Sequence, residues 1–349
     1  MLSPRGEAIL KSIISQYIAR AVPVPSQSLI GNRELAVSSA TIRNEMAHLE
    51  EEGYITRPHP SAGGIPSDKG YRFYVETLGD IRLPSTQQLL IRHLFHQVEG
   101  ELEKWLSLAA TLTAQLAQNI AVVAMPRSAK LQLKHLEVIA LQEELALVIV
   151  VLHGARIRQQ LITFERAIVQ PELATMTAKL NAAYSDLTQT EISAKKIGLS
   201  PAEQPLYDSL LRMMQAEDEP ESERAYLDGL HFVLNQPEFH EAQRVLTLME
   251  LVERRRLVRT ITPEDMSRHG VQVIIGKENK AAAMQNCSVV ISQYGLPEEA
   301  MGTISVVGPT RMPYARTIST VSYLSLVLSQ LIAELYGKKQ PEPNSQGRK

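Results

Sequence analysis

The chain has one cysteine, Cys287, in 349 residues. A single thiol excludes an intrachain disulfide and a multi-cysteine zinc site. Long apolar runs are equally scarce. The longest, Leu145 to Leu152, holds eight residues, against the roughly 20 that a membrane-crossing helix needs. The N-terminus, Met1-Leu2-Ser3-Pro4-Arg5-Gly6-Glu7, lacks the apolar core of a secretory leader. Glycine is sparse and scattered, and neither Gly-x-x-x-x-Gly-Lys-Ser/Thr nor Gly-x-Gly-x-x-Gly occurs, so no nucleotide loop and no cofactor is expected. Charge of one sign is lacking too: 36 basic and 38 acidic residues leave a net −2. Composition therefore gives no sign of nucleic-acid binding, and such a function must rest on local motifs. Together these absences predict a cytoplasmic protein that does not enter a membrane.

What is present is ordinary for a globular chain: 44% hydrophobic and 21% charged residues. The length suggests two or three domains. Residues 3–20 predict an amphipathic helix, with Ser3 as cap, Pro4 at its first position and a stripe of Ile9, Leu10, Ile13, Ile14 and Tyr17. Val22-Pro23-Val24-Pro25 breaks it, and Ser26 predicts the cap of a short helix over 27–33. A third helix is expected from Ser38 to Glu52, stopped by Gly53, with Ile42, Met46 and Leu49 on one face. An extended piece at 54–58, a turn-rich Gly63-Gly64 loop and a helix Lys69–Leu78 capped by Ser67 or Asp68 complete the order of a winged helix-turn-helix.

One long helix is expected over 85–119, with Leu90, Leu94, Val98, Leu102, Trp105, Leu112 and Leu116 as its stripe. Strands are expected at 136–141, 145–152 and 156–164, and again at 271–275, 287–294 and 302–307. The block 171–236 reads as helical, and helices are expected at 238–259 and 317–336. The split strands suggest one α+β domain interrupted by a helical insertion. The tail 338–349 is polar and predicted to be disordered.

A recognition helix presents its N-terminal side chains to base edges in the major groove. Here Ser38, Ser39, Thr41, Arg43, Asn44 and His48 lie off the apolar stripe. Ser and Thr suit phosphates or bases, Arg suits guanine and Asn suits adenine. Arg57, His59, Ser61, Lys69 and Arg72 are candidates around the loop that follows, where Gly63 and Gly64 would let the turn approach the DNA backbone. The plain alternative is that Arg43 is a solvated or ion-paired surface side chain. Residues 1–79 hold eight basic and eight acidic residues, but Glu50-Glu51-Glu52 cluster at the helix end away from the proposed DNA face.

Several blocks resemble one family. They are Ser38-Ser39-Ala40-Thr41-Ile42-Arg43-Asn44-Glu45-Met46, Leu49-Glu50, Gly53-Tyr54, Pro58-His59, Ser61-Ala62-Gly63, and Ile65-Pro66-Ser67-Asp68-Lys69-Gly70-Tyr71-Arg72-Phe73-Tyr74. Near the other end stand Cys287-Ser288-Val289-Val290, Tyr294-Gly295, Gly302-Thr303-Ile304 and Gly308-Pro309-Thr310-Arg311-Met312. These are similar to the heat-inducible transcription repressors called HrcA, along essentially the whole chain with a weakly patterned middle. The resemblance implies a bacterial repressor that binds double-stranded DNA as a homodimer, at an inverted-repeat operator called CIRCE upstream of chaperone operons. It implies a chaperonin partner that keeps the repressor active until heat-damaged proteins occupy it. It also implies a winged helix at 1–79, a GAF-like domain from 80–170 and 237–337, and an inserted dimerisation domain at 171–236. The chain departs from the family's usual pattern at Gly64, where Arg is usual, at Pro60, where Thr is usual, and at Pro313, where Asp is usual.

Other candidates carry plainer readings. His93, His96, Glu99 and Glu103 share helical spacing, but a solvated face is expected rather than a metal site. Cys287 is expected to be a buried structural thiol. Arg254-Arg255-Arg256 and Arg259 are expected on a solvated helix face. Gly308-Pro309-Thr310-Arg311-Met312 reads first as a turn and second as a ligand or interdomain contact. Two rival classes are a ligase-like enzyme with a winged-helix head, which would need the absent nucleotide loop, and a regulator sensing a metabolite through its GAF-like domain.

Overall fold

The structure, a computed structural model, describes residues 2–30, 38–59, 62–98, 100–127, 131–153, 156–218, 225–239, 245–246, 249–250, 257–263, 266, 270–297 and 300–337. It mixes helices and sheets, as expected for an α+β chain. Contacts divide it into two compact units: Met1–Ala124, Ala225–Tyr294 and Thr303–Lys349 in the first, Met125–Arg224 and Gly295–Gly302 in the second.

The head of the first unit starts with α1 (Pro4–Arg20), where Ser3 Oγ accepts from the Gly6 amide at 2.9 Å and Ile9, Leu10, Ile13 and Ile14 are buried. Helix α2 (Ser39–Glu51) follows its cap Ser38, whose Oγ accepts from the Thr41 amide at 3.2 Å. It ends in a left-handed Gly53. The Gly53 amide bonds Glu50 O at 2.9 Å and the Tyr54 amide bonds Leu49 O at 2.8 Å, satisfying the last carbonyls. Strands β1 (Ile55–Thr56) and β2 (Ile65–Pro66) pair antiparallel. Helix α3 (Asp68–Glu76) is capped by Ser67, which accepts from the Gly70 amide and donates to Gly53 O. Ile42, Met46 and Leu49 of α2 are buried in the head core along with Leu29, Ile55 and Tyr71. In place of the expected helix 27–33 there is a 3-10 turn, Ser26–Leu29. Ser26 lies inside it rather than capping it, and residues 31–37 are outside the described set.

After the head come α4 (Ser85–Gln97), α5 (Leu102–Ala117), β3 (Ile120–Arg127), β4 (Leu133–Ala140), β5 (Leu145–Leu152) and β6 (Arg156–Thr163). Next are α6 (Gln170–Tyr184), α7 (Gln189–Ala194), α8 (Gln204–Asp218), β7 (Ala225–Asp228), α9 (Leu230–Leu234) and α10 (Leu257–Ile261). The chain finishes with β8 (Val271–Ile275), β9 (Cys287–Leu296), β10 (Ala300–Pro309) and α11 (Tyr314–Leu335). The expected long helix 85–119 is two helices, because Val98 and Glu101 are extended on either side of a break that contains Gly100. Consequently α4 buries Ile91 and Phe95, while Leu90, placed by sequence on the stripe, is exposed.

The body of the first unit is built on a five-stranded sheet in the order β7-β3-β10-β9-β8. Ile120, Val122, Val289, Ile291, Val307 and the thiol-bearing Cys287 fill one core on it. Helix α11 packs on α5. By length and composition α11 is apolar enough to cross a membrane, though Ser and Thr punctuate it so that it holds no long uninterrupted apolar run. Here half of its most apolar window is buried in the unit, Val321, Leu324, Leu328 and Ile332 among it.

The second unit has its own antiparallel sheet, β4-β5-β6, with Ile139 opposite Leu147 and Leu147 opposite Leu161. The strands expected to belong to the split domain thus pair with one another, not with β8–β10, because two tight connections join them directly. Leu136, Val138, Val148 and Val150 pack with Leu173, Leu180, Leu206, Leu210 and Met214 of α6 and α8. Strand β5 is apolar on both faces, yet only alternate residues are buried. On the other face Ile139, Ile157 and Leu161 are 40%, 66% and 55% exposed. Strands β3 and β7, which pair antiparallel, stand where sequence patterning expects none or a continuous helix.

Candidate nucleic-acid interface

The amphipathic pattern of α2 decides what the head displays. Burying Ile42, Met46 and Leu49 turns Arg43, Asn44, Ala47 and His48 outward, all exposed. Ser38 sits exposed at the N-terminus with Ser39 and Thr41 half-buried beside it, and Ser38 Oγ lies 2.9 Å from Thr41 Oγ1. Arg43 makes no ion pair among the described residues. The N-terminal half of α2 therefore offers a guanidinium, a carboxamide, three hydroxyls and the free amides of a helix start, a set suited to phosphate oxygens and base edges. His48 lies nearer the acidic end, with Nδ1 4.0 Å from Glu51 Oε2.

The remaining candidates divide. His59 is exposed. Ser61, like Pro60, is outside the described residues. Arg57 is largely buried and turns back on Glu50, Nε to Oε2 3.2 Å. Lys69 caps α2: its Nζ donates to Glu52 O at 2.6 Å and lies 4.2 Å from the centre of the Tyr54 ring. Arg72 faces the body. Its Nε donates to Glu278 Oε1 at 2.8 Å, its Nη2 to Glu278 Oε2 and to Val273 O at 2.7 Å. Its hydrogen bonds to Glu278 raise the pKa of this guanidinium above its already high value.

Gly63 and Gly64 serve packing. The Val24 amide bonds Gly64 O at 3.0 Å and the Gly64 amide bonds Val24 O at 2.9 Å, so Val24 adds a rung beside β2. A Cβ on Gly63 would overlap the Val24 backbone, whereas one on Gly64 would meet only Ile55 Cδ1 at 3.0 Å and Met46 Cε at 3.2 Å. Both glycines are buried, so the expected approach of their backbone to DNA gives way to a close approach to Val24.

Sequence patterning offered Asp68 only as an alternative cap to Ser67, which takes that role, and did not single out Gly276 or Glu278. Asp68 Oδ2 accepts from the Lys277 amide at 3.0 Å, and Glu278 Oε2 accepts from the Ile275 amide at 2.8 Å. Asp68 and Arg72 stand four apart on α3, a spacing that puts both on one face and was the available signal. The segment 308–312 forms the turn that was its first expected reading, the Met312 amide bonding Pro309 O at 3.0 Å, and Arg311 reaches from it to α1 within the first unit. Nη1 donates to Ile18 O at the end of α1 at 3.1 Å while Nε pairs with Glu238. Tyr71 packs against Tyr314, ring centres 5.8 Å apart, and burial raises the pKa of both hydroxyls.

Elsewhere no three His, Cys, Asp or Glu side chains gather as a metal site among the described residues. His93 Nε2 lies 2.9 Å from Gln97 Nε2. Glu99 and Arg254-Arg255-Arg256 are outside the described residues, and Arg259 falls in α10.

A sequence model described as the HrcA protein C terminal domain matches residues 103–318. A heat-inducible transcription repressor HrcA of Dehalococcoides mccartyi is 53% identical, over 97% of this chain and 98% of the relative. Those of Roseiflexus castenholzii and Chloroflexus aurantiacus are 42% and 38% identical, each over 96% of this chain and 96% or 95% of theirs. A crystal structure of a hypothetical protein at 2.2 Å resolution shares the fold with a TM-score of 0.60, at 24% identity over 96% of this chain and 99% of its own. The class is thus that of transcription regulators, not enzymes. Within it, the chain belongs to the heat-inducible transcription repressor family HrcA.

Proposed function

We propose that the chain represses chaperone operons by binding the CIRCE inverted repeat as a homodimer in the cytoplasm, each protomer reading one half-site through a winged-helix head. The observation that carries this is the outward face of α2: Arg43, Asn44 and Ser38 exposed over a buried stripe of Ile42, Met46 and Leu49. Ser39, Thr41, His48 and His59 would flank that contact, and phosphate contacts would supply affinity while α2 supplies sequence choice. Lys69, Arg57 and Arg72 are left out of the core of this interface, since each is engaged within the chain. The five-stranded body would be the GAF-like domain, and residues 125–224, rather than 171–236, the inserted dimerisation domain. The half-covered sheet β4-β5-β6 supports the latter, because a contiguous apolar face on a soluble chain marks an association surface. A two-fold operator calls for a second copy of this chain there. The chaperonin would hold the repressor in its active form and release from that service under heat shock would derepress the operons.

One cavity, lined by the body and by Ile18 and Ala19 of α1, favours a second reading, metabolite sensing. It has a volume of about 530 Å3 and is lined by Gln118, Asn119, Phe232, Gln236 and Arg311 among others. Binding of the purified protein to a fluorescent duplex carrying the inverted repeat, against a scrambled duplex, separates the two. The repressor reading expects a preference of roughly 10³-fold or more that weakens steeply with salt. No preference, with and without added chaperonin, would sink it and bring the metabolite reading forward.

A further inference from the structure

Two charged residues of α3, Asp68 and Arg72, turn toward the body. Asp68 and Arg72, one turn apart on α3, grip a single loop. Asp68 takes the Lys277 amide, and Arg72 takes both carboxylate oxygens of Glu278 and the carbonyl of Val273. The loop is shaped to be gripped. Gly276 has φ of +51°, and a Cβ there would occupy the position of the Asp68 carboxylate. Glu278 is held in place by the Ile275 amide. Between the two charged residues the buried Tyr71 ring lies on Tyr314.

A second hold lies at the end of α1, where Arg311 donates to Ile18 O and is itself fixed by Glu238. One contact alone is a pivot about which a domain can rotate. Two separated contacts, on α3 and on α1, fix an angle. The only covalent connection from head to α4 is the short segment 77–84, which includes Gly79 and ends at Pro84.

We propose that Asp68, Arg72, Gly276 and Glu278 form a clamp that fixes the angle of the reading head on the body and so selects the spacing between operator half-sites. This rests on the dimeric operator-binding reading above. The separation of half-sites that a dimer accepts is set by the distance and angle between its two recognition helices. A clamped head accepts one separation. A head hung on 77–84 accepts several, with a smaller gain from binding both half-sites at once. The residues of the clamp are positioning residues, and Glu278 lies on the body, so its replacement does not remove a DNA contact of the head.

The test uses the full chain and duplexes whose half-sites are moved apart or together by one to five base pairs. Wild type is expected to lose on the order of 10²-fold in affinity off its preferred spacing, the scale of a lost second contact. Glu278→Ala is expected to cut that loss to a few-fold while binding to a single half-site stays within about twofold, since rim changes far from bases leave base readout intact. Arg72→Lys keeps the charge but not the two-pronged grip, and is expected to fall between the two, which provides a second variant should Glu278→Ala fold poorly. A dye on Ala47→Cys adds a readout independent of operator choice: the head is expected to tumble with the body in wild type and to gain its own nanosecond motion in Glu278→Ala. An unchanged spacing penalty in the two variants, or an unchanged dye signal, overturns the clamp. If wild type shows no repeat-dependent binding, the operator reading has failed, and the spacing role fails with it, whatever the dye reports of the head's motion.

Discussion

Lys69 Nζ donates to the carbonyl of Glu52 at 2.6 Å while lying over the ring of Tyr54. Sequence put this lysine among the DNA-contact candidates. Its position instead puts a cation at the C-terminal end of α2, where the helix dipole is negative, and over an aromatic face. Lys69→Gln is expected to lower head stability by about 0.5–1 kcal/mol. The slope of log affinity against log salt should stay as in wild type. A slope reduced by about one would return Lys69 to the DNA contacts.

Arg43 behaves the other way. It is exposed and unpaired among the described residues, so Arg43→Ala is expected to change stability by less than about 0.5 kcal/mol. Its removal should cost about 1–3 kcal/mol of preference for the repeat over a scrambled duplex if it grips a base edge. Thermal melting and fluorescence anisotropy of the same preparation check both halves. A uniform loss on both duplexes would mean a phosphate contact in place of base readout.

The adjacent glycines should respond differently to one added methyl. Gly63→Ala drives a Cβ into the Val24 backbone, which cannot move without breaking the two bonds between Val24 and Gly64. A loss of about 2–3 kcal/mol is expected, at the scale of overpacking. Gly64→Ala meets only the ends of Ile55 and Met46, which can rotate aside, for a cost under about 1 kcal/mol. Equal melting temperatures for the two variants would contradict this account.

In the second unit burial of Glu203 opposes its ionisation. Lys179 Nζ at 2.8 Å and the Ser200 amide at 2.7 Å outweigh that and hold its carboxyl below the usual range. A depressed folded pKa means stabilisation that is complete above the unfolded value, about 4.3, and lost as pH falls through the folded value. Glu203→Gln is expected to remove about 1–2 kcal/mol at neutral pH, with the gap to wild type closing below about pH 4. Chemical denaturation across that range tests it, and a gap that does not narrow would assign the effect to packing.

How much of this was legible depended on how far apart the partners lie. Caps at Ser3, Ser38 and Ser67, the Gly53 stop and the stripe at Ile42, Met46 and Leu49 are local signals, and sequence placed them within a residue or two. The break at 98–101 was missed because apolar residues kept helical spacing through it. Strands β3 and β7 were missed because each abuts a helix and pairs with a segment about a hundred positions away. Of the site, the exposed face of α2 was readable. The engagement of Arg72 was not, since its partner Glu278 is 206 residues distant and no local pattern ties them.

Strand β5 has apolar side chains on both sides, and the described residues bury one of them while leaving the other half-buried. In the proposed dimer, part of its hydrophobic stabilisation would be deferred until a second copy arrives. Folding stability then becomes a matter of mass action: the melting temperature should climb as protein concentration rises. The temperature at which repression fails would be set in part by how many copies of the repressor a cell contains.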